Sequence, residues 1–330
     1  MSKPRVFVTR VIPDPGLTMI IDACDAEVWR EEMPPSRDIV LKTIKDTVGI
    51  LSLVTDKIDG EVMDSAGDQL KIISNYAVGV DNIDIQEATN RGILVGNTPG
   101  ILTETTADLT FALLLSAARR IGEGIDYIRG NKWETFKPME LLGRAVHNST
   151  LGIIGMGRIG IEVARRAKGF NMEVIYYDYR GRASIGETIG AKILSTIDEL
   201  FKQADFISLH IPLTSETNHL IDASAFSKMK DTAILINTSR GPVVDSDALY
   251  EALKSKKIAY AALDVTDPEP IPPNHKLMAL PNCLIVPHIG SATIETRSKM
   301  AVMAAENLLA GIRGEIPKHL VNPEALANRR

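Results

Sequence analysis

Several features that announce a function are scarce in this chain. Only two cysteines, Cys24 and Cys283, occur among 330 residues. Their spacing fits no zinc or redox motif and no disulfide framework, so both read as buried or half-buried thiols. No cluster of His, Cys, Asp and Glu has metal-ligand spacing, and no metal is expected. No apolar run approaches the ~20 residues of a membrane-spanning helix. The opening stretch KPRVFVTR (3–10) reads as a strand rather than a leader peptide. Positive charge is also short, with 37 Lys and Arg against 42 Asp and Glu, a net of −5. Nucleic acid and anionic membranes both favour basic surfaces, so neither is an expected partner. No G-x-S-x-G turn offers a serine nucleophile. These absences favour a reducing cytoplasm and a small-molecule partner.

What is present is an alternation. Short β-branched runs, RVFVT (5–9), VGILSLV (48–54), LKIIS (70–74) and GILVGN (92–97), are separated by amphipathic stretches such as Ile39–Lys45. A second series comprises LGIIG from Leu151, EVIYYD (173–178), ADFISLHIP (204–212), TAILINTS (232–239), AYAALDV (259–265) and CLIVPH (283–288). Strands alternating with helical patterns predict parallel βαβ units and an α/β fold. The length suggests two domains, and 45% hydrophobic residues suffice for two cores. Pro99 and Gly100 break the chain between the two series. Thr105 and Asp108 then have the spacing of a capping box, ahead of a helix through ADLTFALLLSAARRI. That helix is apolar on more than one side, which a domain face or a second copy of the chain would satisfy. Residues 130–148, around Trp133, read as an irregular arm or loop. A last helix is predicted over Ile294–Leu309.

The strongest motif is GMGRIG (155–160). A G-x-G-x-x-G alone is weak evidence, but here a buried strand precedes it, a helix comes after it, and Asp178 closes the next strand roughly 20 residues on. Gly155 permits the tight turn, Gly157 admits a pyrophosphate to the backbone, and Gly160 lets helix and strand approach. The helix N-terminus offers unpaired N–H groups to the phosphates. Arg158 either reaches the pyrophosphate or is solvated. The stretch IYYDYRGR (175–182) decides between cofactors. Asp178 suits the free ribose hydroxyls of NAD, whereas Arg180 and Arg182 suit the phosphate of NADP. A 2′-phosphate beside the acid would cost ~4 kcal/mol per charge pair at ~4 Å before screening. NAD is therefore the expected cofactor, with NADP as the alternative through Arg180.

Ligands of open α/β sheets bind beyond the carboxyl ends of the strands. At or just past the ends of these runs stand Gly155, Asp178, Pro212 after His210, Arg240, Asp264, Glu269 and His288. Each has a plain structural alternative. Arg240 precedes a Gly-Pro helix start, Asp264 could cap a turn, and Glu269 lies in the proline-rich DPEPIPP. His288, between proline and Ile-Gly-Ser, stands in a poor place for a core histidine. Together on one edge, beside a nicotinamide site, they form a candidate catalytic set. Ile159, Thr238 and Gly290, on the phosphate loop and at strand ends, complete the expected cofactor contacts.

These motifs resemble the D-isomer-specific 2-hydroxyacid dehydrogenases. The resemblance runs through NYAVGVDNID (75–84), TADLTFALLLSAARRI (106–121), LGIIGMGRIG (151–160), NTSRGPVVD (237–245), ALDVTDPEP (262–270) and PHIGSAT (287–293). It covers essentially the whole chain. Within the family the chain is most similar to glyoxylate/hydroxypyruvate reductases, through WETFKPMELLG and PHIGSATIETR.

The resemblance implies a Rossmann-type doubly wound sheet, residues 101–289, inserted in a flavodoxin-like α/β substrate domain of residues 1–100 plus 290–330. It also implies a homodimer whose face is the apolar helix near 103–120. The family's Arg, Glu and His land on Arg240, Glu269 and His288. Its substrate carboxylate is held by backbone N–H groups matching Val78 and Gly79, with Arg240 helping. Asp264 is expected to accept from the nicotinamide carboxamide. The implied reaction is NAD(P)H-dependent reduction of a small 2-oxo acid, glyoxylate or hydroxypyruvate, with His288 as proton donor and Glu269 favouring its charged form. Other specificities, such as 3-phosphoglycerate or D-lactate, remain alternatives. So does an NAD-sensing corepressor, a binding module on the same fold, although such proteins usually carry extensions beyond it.

Overall fold

Strands that are apolar throughout, rather than at alternate positions, are buried on both faces and belong in parallel sheets. The computed structural model, which describes residues 3–179, 186 and 188–329, builds two such sheets. They lie in two compact units. One comprises the residues up to Leu102 together with those from Ala292 onward, and the other spans Thr103–Ser291.

The first unit holds β1 (Arg5–Val8), β2 (Asp25–Val28), β3 (Gly49–Ser52), β4 (Ile72–Asn75) and β5 (Leu94–Gly96). Their order is β2-β1-β3-β4-β5, with every pair parallel. This is the flavodoxin-like order. The C-terminal helix Ile294–Arg313 packs on β3, β4 and β5, so the end of the chain supplies part of this unit's core. It runs four residues beyond the expected Leu309 and stops at Gly314, whose φ of +85° forms a left-handed C-cap. The buried Asn322 then ties the tail to the sheet: its amide donates to Ile93 O at 2.9 Å and accepts from the Val95 N–H at 2.8 Å.

The second unit holds β6 (Thr150–Ile154), β7 (Glu173–Tyr177), β8 (Lys192–Ile193), β9 (Phe206–Leu209), β10 (Ile234–Asn237), β11 (Tyr260–Leu263) and β12 (Cys283–Ile285). The order β12-β11-β10-β9-β6-β7-β8 is the doubly wound Rossmann arrangement extended by one strand. Two cores cover its faces, one around Ile154, Phe201 and Leu235, the other around Leu114, Ile153 and Ile236. The last residues of β7, β6, β9, β10, β11 and β12 stand in register, Tyr177 beside Ile154, then Leu209, Asn237, Leu263 and Ile285. The sheet therefore ends level, and the residue after each strand emerges at a common height.

Two strands escaped the sequence reading. β2 is an edge strand whose DAEV carries two acids, and β8 has only two residues, both exposed. The helix expected from a capping box at Thr105 begins two residues earlier and spans Thr103–Ala118. Asp108 instead pairs with Arg166 at 2.7 Å. Phe111, Leu113, Leu114 and Ala117 of this helix are buried inside its own unit, against β10, β11 and the helix Arg158–Lys168. Large apolar side chains are exposed elsewhere, among them Ile121, Ile125 and Ile128 on the helix Ile121–Arg129, and Trp133, Phe136 and Met139 on the irregular segment 130–148. No helix among the described residues is long and apolar enough to cross a membrane.

Candidate active site

The phosphate loop leaves β6 at Gly155, whose φ is +94°. A Cβ there would sit 2.5 Å from the carbonyl oxygen of His210, so only glycine closes this turn. Gly160 abuts the Gly155 carbonyl in the same way. Gly157 is the N-cap of the helix Arg158–Lys168 and brings no side chain to bond its first N–H groups. A backbone cradle with an uncapped helix N-terminus fits the pyrophosphate of a dinucleotide. Asp178 is drawn into the same turn, since its Oδ2 accepts the Met156 N–H at 3.0 Å. Arg158 is exposed, and Ile159 packs partly buried against the core below. Arg180 and Arg182 lie outside the described residues.

The other strand ends deliver the remaining expected residues to the same edge. After β9, His210 bonds Ser208 Oγ through Nε2 at 2.8 Å. Its Nδ1 is buried with no partner among the described residues, and burial pushes its pKa down to about 3. Burial thus favours the neutral ring. Pro212 is exposed, and its carbonyl accepts from Thr217 at 2.7 Å. After β10, Thr238 is buried and its hydroxyl pairs with Thr110 at 2.9 Å, so it braces the sheet against the helix Thr103–Ala118.

Arg240 stands in a turn shaped by Asn237, which sequence reasoning missed. The buried Asn237 accepts from the Ser239 N–H at 3.0 Å and from its hydroxyl at 2.8 Å, and donates to Arg240 O at 2.8 Å. A strand-ending Asn two residues before a polar turn is the signal that could have found it. Gly241 lets this turn touch the backbone of Thr266, at the root of the loop that carries Glu269.

His288 and Glu269 meet. Nδ1 of the ring lies 2.5 Å from Glu269 Oε1, and about a third of each side chain is exposed, 33% and 35%. Burial pushes the Glu269 carboxyl up. The hydrogen bond and charge of His288, the Thr266 N–H and the charge of Arg240 outweigh that, and its pKa ends below the ordinary glutamate value. Asp264, just before this loop, is 2% exposed. Its carboxylate accepts the N–H groups of Ile289 at 2.6 Å and Gly290 at 2.9 Å, while its carbonyl accepts the His288 N–H at 2.9 Å. Three bonds from one residue thus hold His288 at a left-handed φ of +49°. Burial nevertheless raises the Asp264 pKa above the ordinary value, against those N–H groups and the charge of His288.

In the first unit, Val78 and Gly79 lie in the loop after β4, and their carbonyls are held by side chains. Asn97 donates to Val78 O at 2.8 Å, and Asn75 donates to Gly79 O at 2.9 Å.

A dinucleotide cradle and a His–Glu pair on one sheet edge define a nicotinamide-dependent oxidoreductase. Residues 111–290 match the family model of the D-isomer specific 2-hydroxyacid dehydrogenase, NAD binding domain. A glyoxylate reductase of Korarchaeum cryptofilum is 52% identical over 99% of this chain and 98% of its own length. A solved structure from Thermus thermophilus superposes with a TM-score of 0.90 at 47% identity, covering 96% of this chain and 99% of that one. An NADPH-dependent glyoxylate/hydroxypyruvate reductase from Sinorhizobium meliloti, in complex with NADP and malonate, gives 0.85 at 31% identity, over 100% of this chain and 99% of that one. The chain belongs to the D-isomer-specific 2-hydroxyacid dehydrogenase family and carries its NAD-binding domain.

The position of Asp178 generates a prediction about cofactor choice. The wild-type protein should bind NADH more tightly than NADPH. Asp178→Ser, which keeps an oxygen for the Met156 N–H, should move the ratio at least roughly tenfold toward NADPH, about 1.4 kcal/mol. Fluorescence titrations of both cofactors measure this. A wild type that prefers NADPH would show that the arginines beyond the strand outweigh the acid.

Proposed function

We propose that this protein reduces a small 2-oxo acid, glyoxylate or hydroxypyruvate, to the 2-hydroxy acid, of D configuration where the product is chiral. The observation that carries the reading is the His288–Glu269 contact of 2.5 Å, on the strand edge that also bears Arg240 and the phosphate loop. The glyoxylate reductase names of relatives such as that of Korarchaeum cryptofilum support the substrate class.

The turn Gly155–Gly160 and the helix N-terminus behind it would hold the pyrophosphate of the cofactor, and Asp178 its adenosine ribose. Asp264 keeps lone pairs for the nicotinamide carboxamide beyond the two N–H groups it already accepts. When bound, the nicotinamide would supply the hydride for the carbonyl carbon. Negative charge then grows on the carbonyl oxygen, and His288 delivers a proton to it from Nε2. Glu269 occupies Nδ1, so it selects the nitrogen that faces the substrate and stabilises the charged ring. Because Glu269 remains ionised to below the ordinary glutamate range, that support persists throughout neutral pH. Arg240 offers a planar pair of donors to substrate oxygens. The backbone N–H groups at Val78 and Gly79 receive the substrate carboxylate. In the oxidative direction the neutral His288 takes the proton back.

We also propose a homodimer through the exposed apolar side chains of Ile121, Ile125, Ile128, Trp133, Phe136 and Met139, of which Phe136 is 84% exposed. Large apolar side chains left in solvent this close together along the chain are candidates for an interaction surface.

A panel of glyoxylate, hydroxypyruvate and pyruvate with NADH and NADPH tests the activity, and failure to turn over any of them would overturn it. His288→Ala should lower kcat by ~10²–10⁴-fold while NADH affinity survives. A variant within a factor of two of wild type removes His288 from the mechanism. Glu269→Gln removes the carboxylate that holds the ring at Nδ1, so kcat for reduction should fall while NADH affinity survives. A Glu269→Gln variant with wild-type kcat would uncouple Glu269 from the proton donor. By light scattering, the wild type should be a dimer and Phe136→Asp a monomer, whereas a monomeric wild type would exclude the interface.

A further inference from the structure

The loop after β4 shows how backbone N–H groups can be aimed by side chains. In a planar trans peptide the carbonyl of one residue and the N–H of the next point in opposite directions. Three successive carbonyls of this loop are anchored. Ala77 O accepts the Thr98 N–H at 2.9 Å, Val78 O accepts Asn97 Nδ2 at 2.8 Å, and Gly79 O accepts Asn75 Nδ2 at 2.9 Å. The N–H groups of Val78, Gly79 and Val80 therefore each point away from the strand end that holds the preceding carbonyl. None of the three donates to an acceptor among the described residues. Residues 78–80 are neither buried nor fully exposed.

Both asparagines are themselves held in place. Asn75 is fully buried at the end of β4, and its Oδ1 accepts from Ser52 Oγ at 2.9 Å. Its Nδ2 also bonds Asn82 Oδ1 at 3.0 Å, while Asn82 Nδ2 donates to the carbonyls of Leu53 and Asp56 at 3.0 and 2.9 Å. The backbone of Asn97 is bonded on both sides, its N–H to His319 O at 3.2 Å and its carbonyl to Asn307 Nδ2 at 2.9 Å. Nothing about Val78–Val80 demands this, since a solvated loop could bond its carbonyls to water. An asparagine amide donating to each of two successive carbonyls is a specific device.

We propose that Asn97 and Asn75 are positioning residues that orient the N–H groups of Val78, Gly79 and Val80 as a row of donors for the substrate carboxylate. The proposal rests on the reading of the chain as a 2-oxo acid reductase and adds the residues that make its anion-binding backbone. Neither asparagine touches the reacting atoms. Their effect should therefore fall on carboxylate affinity rather than on the chemical step or on the cofactor.

The test uses the full chain and two variants, Asn97→Ala and the milder Asn75→Ser, with oxamate as a non-reacting carboxylate probe. KM and kcat for glyoxylate, the Kd of NADH, and the Kd of oxamate in the presence of NADH are measured for each. Asn97→Ala should raise KM and the oxamate Kd roughly tenfold or more, the scale set by loss of a hydrogen bond to a charged group. The NADH Kd should stay within about twofold and kcat within about threefold. Asn75→Ser should shift the same two quantities in the same direction, and it carries the test alone if Asn97→Ala does not fold. Unchanged KM and oxamate affinity, a fall in kcat alone, or an equal loss of NADH affinity would each overturn the proposal. A wild type that binds oxamate but reduces no 2-oxo acid would instead defeat the reading of the activity, and the oxamate comparison would still decide the role of the asparagines.

Discussion

A parallel strand covered on both faces has no place for a charged side chain until it leaves the sheet. That constraint organises both units. Every strand of the second sheet except the short edge strand β8 ends level with its neighbours, so Gly155, Asp178, His210, Thr238 and Asp264 leave the sheet along one edge, with His288 close behind. Helices on both faces bury the strands and leave the carboxyl edge as the place where chemistry can gather. The site arises from packing before any residue acts.

Asp264 shows what holding such an edge in place requires. A carboxylate at 2% exposure loses most of its hydration, a cost of several kcal/mol. Two backbone N–H groups within 2.9 Å restore much of it, at about 1.5–3 kcal/mol each for bonds to a charged group. The raised pKa of Asp264 shows that burial still prevails. What the arrangement supplies is geometry. The segment 288–290 is clamped, and His288 is kept at φ +49°, a conformation that costs a non-glycine residue about 1–3 kcal/mol. The ring then presents Nδ1 to Glu269, so orientation at the proton donor is maintained by a residue that donates no proton itself. Asn237 does for Arg240 what Asp264 does for His288, and Asn75 and Asn97 do the same for the loop at Val78. In each case a polar side chain at or just beyond a strand end fixes the backbone of a neighbouring loop.

Much of this was legible in the sequence. Strands on both sheets showed as short β-branched runs because their burial is two-sided. The phosphate loop showed because a turn at φ +94° against the His210 carbonyl tolerates glycine alone. Edge elements did not show: β2 carries two acids and β8 is two exposed residues, so neither has an apolar signature. The start of the helix Thr103–Ala118 was misplaced because Thr105 and Asp108 have the local spacing of a cap, while the partner of Asp108 is Arg166, far along the chain. The same helix is apolar on more than one side, and its own unit buries Phe111, Leu113, Leu114 and Ala117.

Local chemistry, then, was determined by the sequence alone: which residues can turn, which can bind phosphate, and which can carry a proton. Those properties depend on neighbours within a few positions and survive in a linear reading. Tertiary structure decided the pairings. That Glu269 faces His288, that Asp264 faces Ile289 and Gly290, and that Asn97 faces Val78 are contacts across 19 to 26 residues of chain. Such distances are closed only by the crossover helices and the strand order, so no local pattern records them.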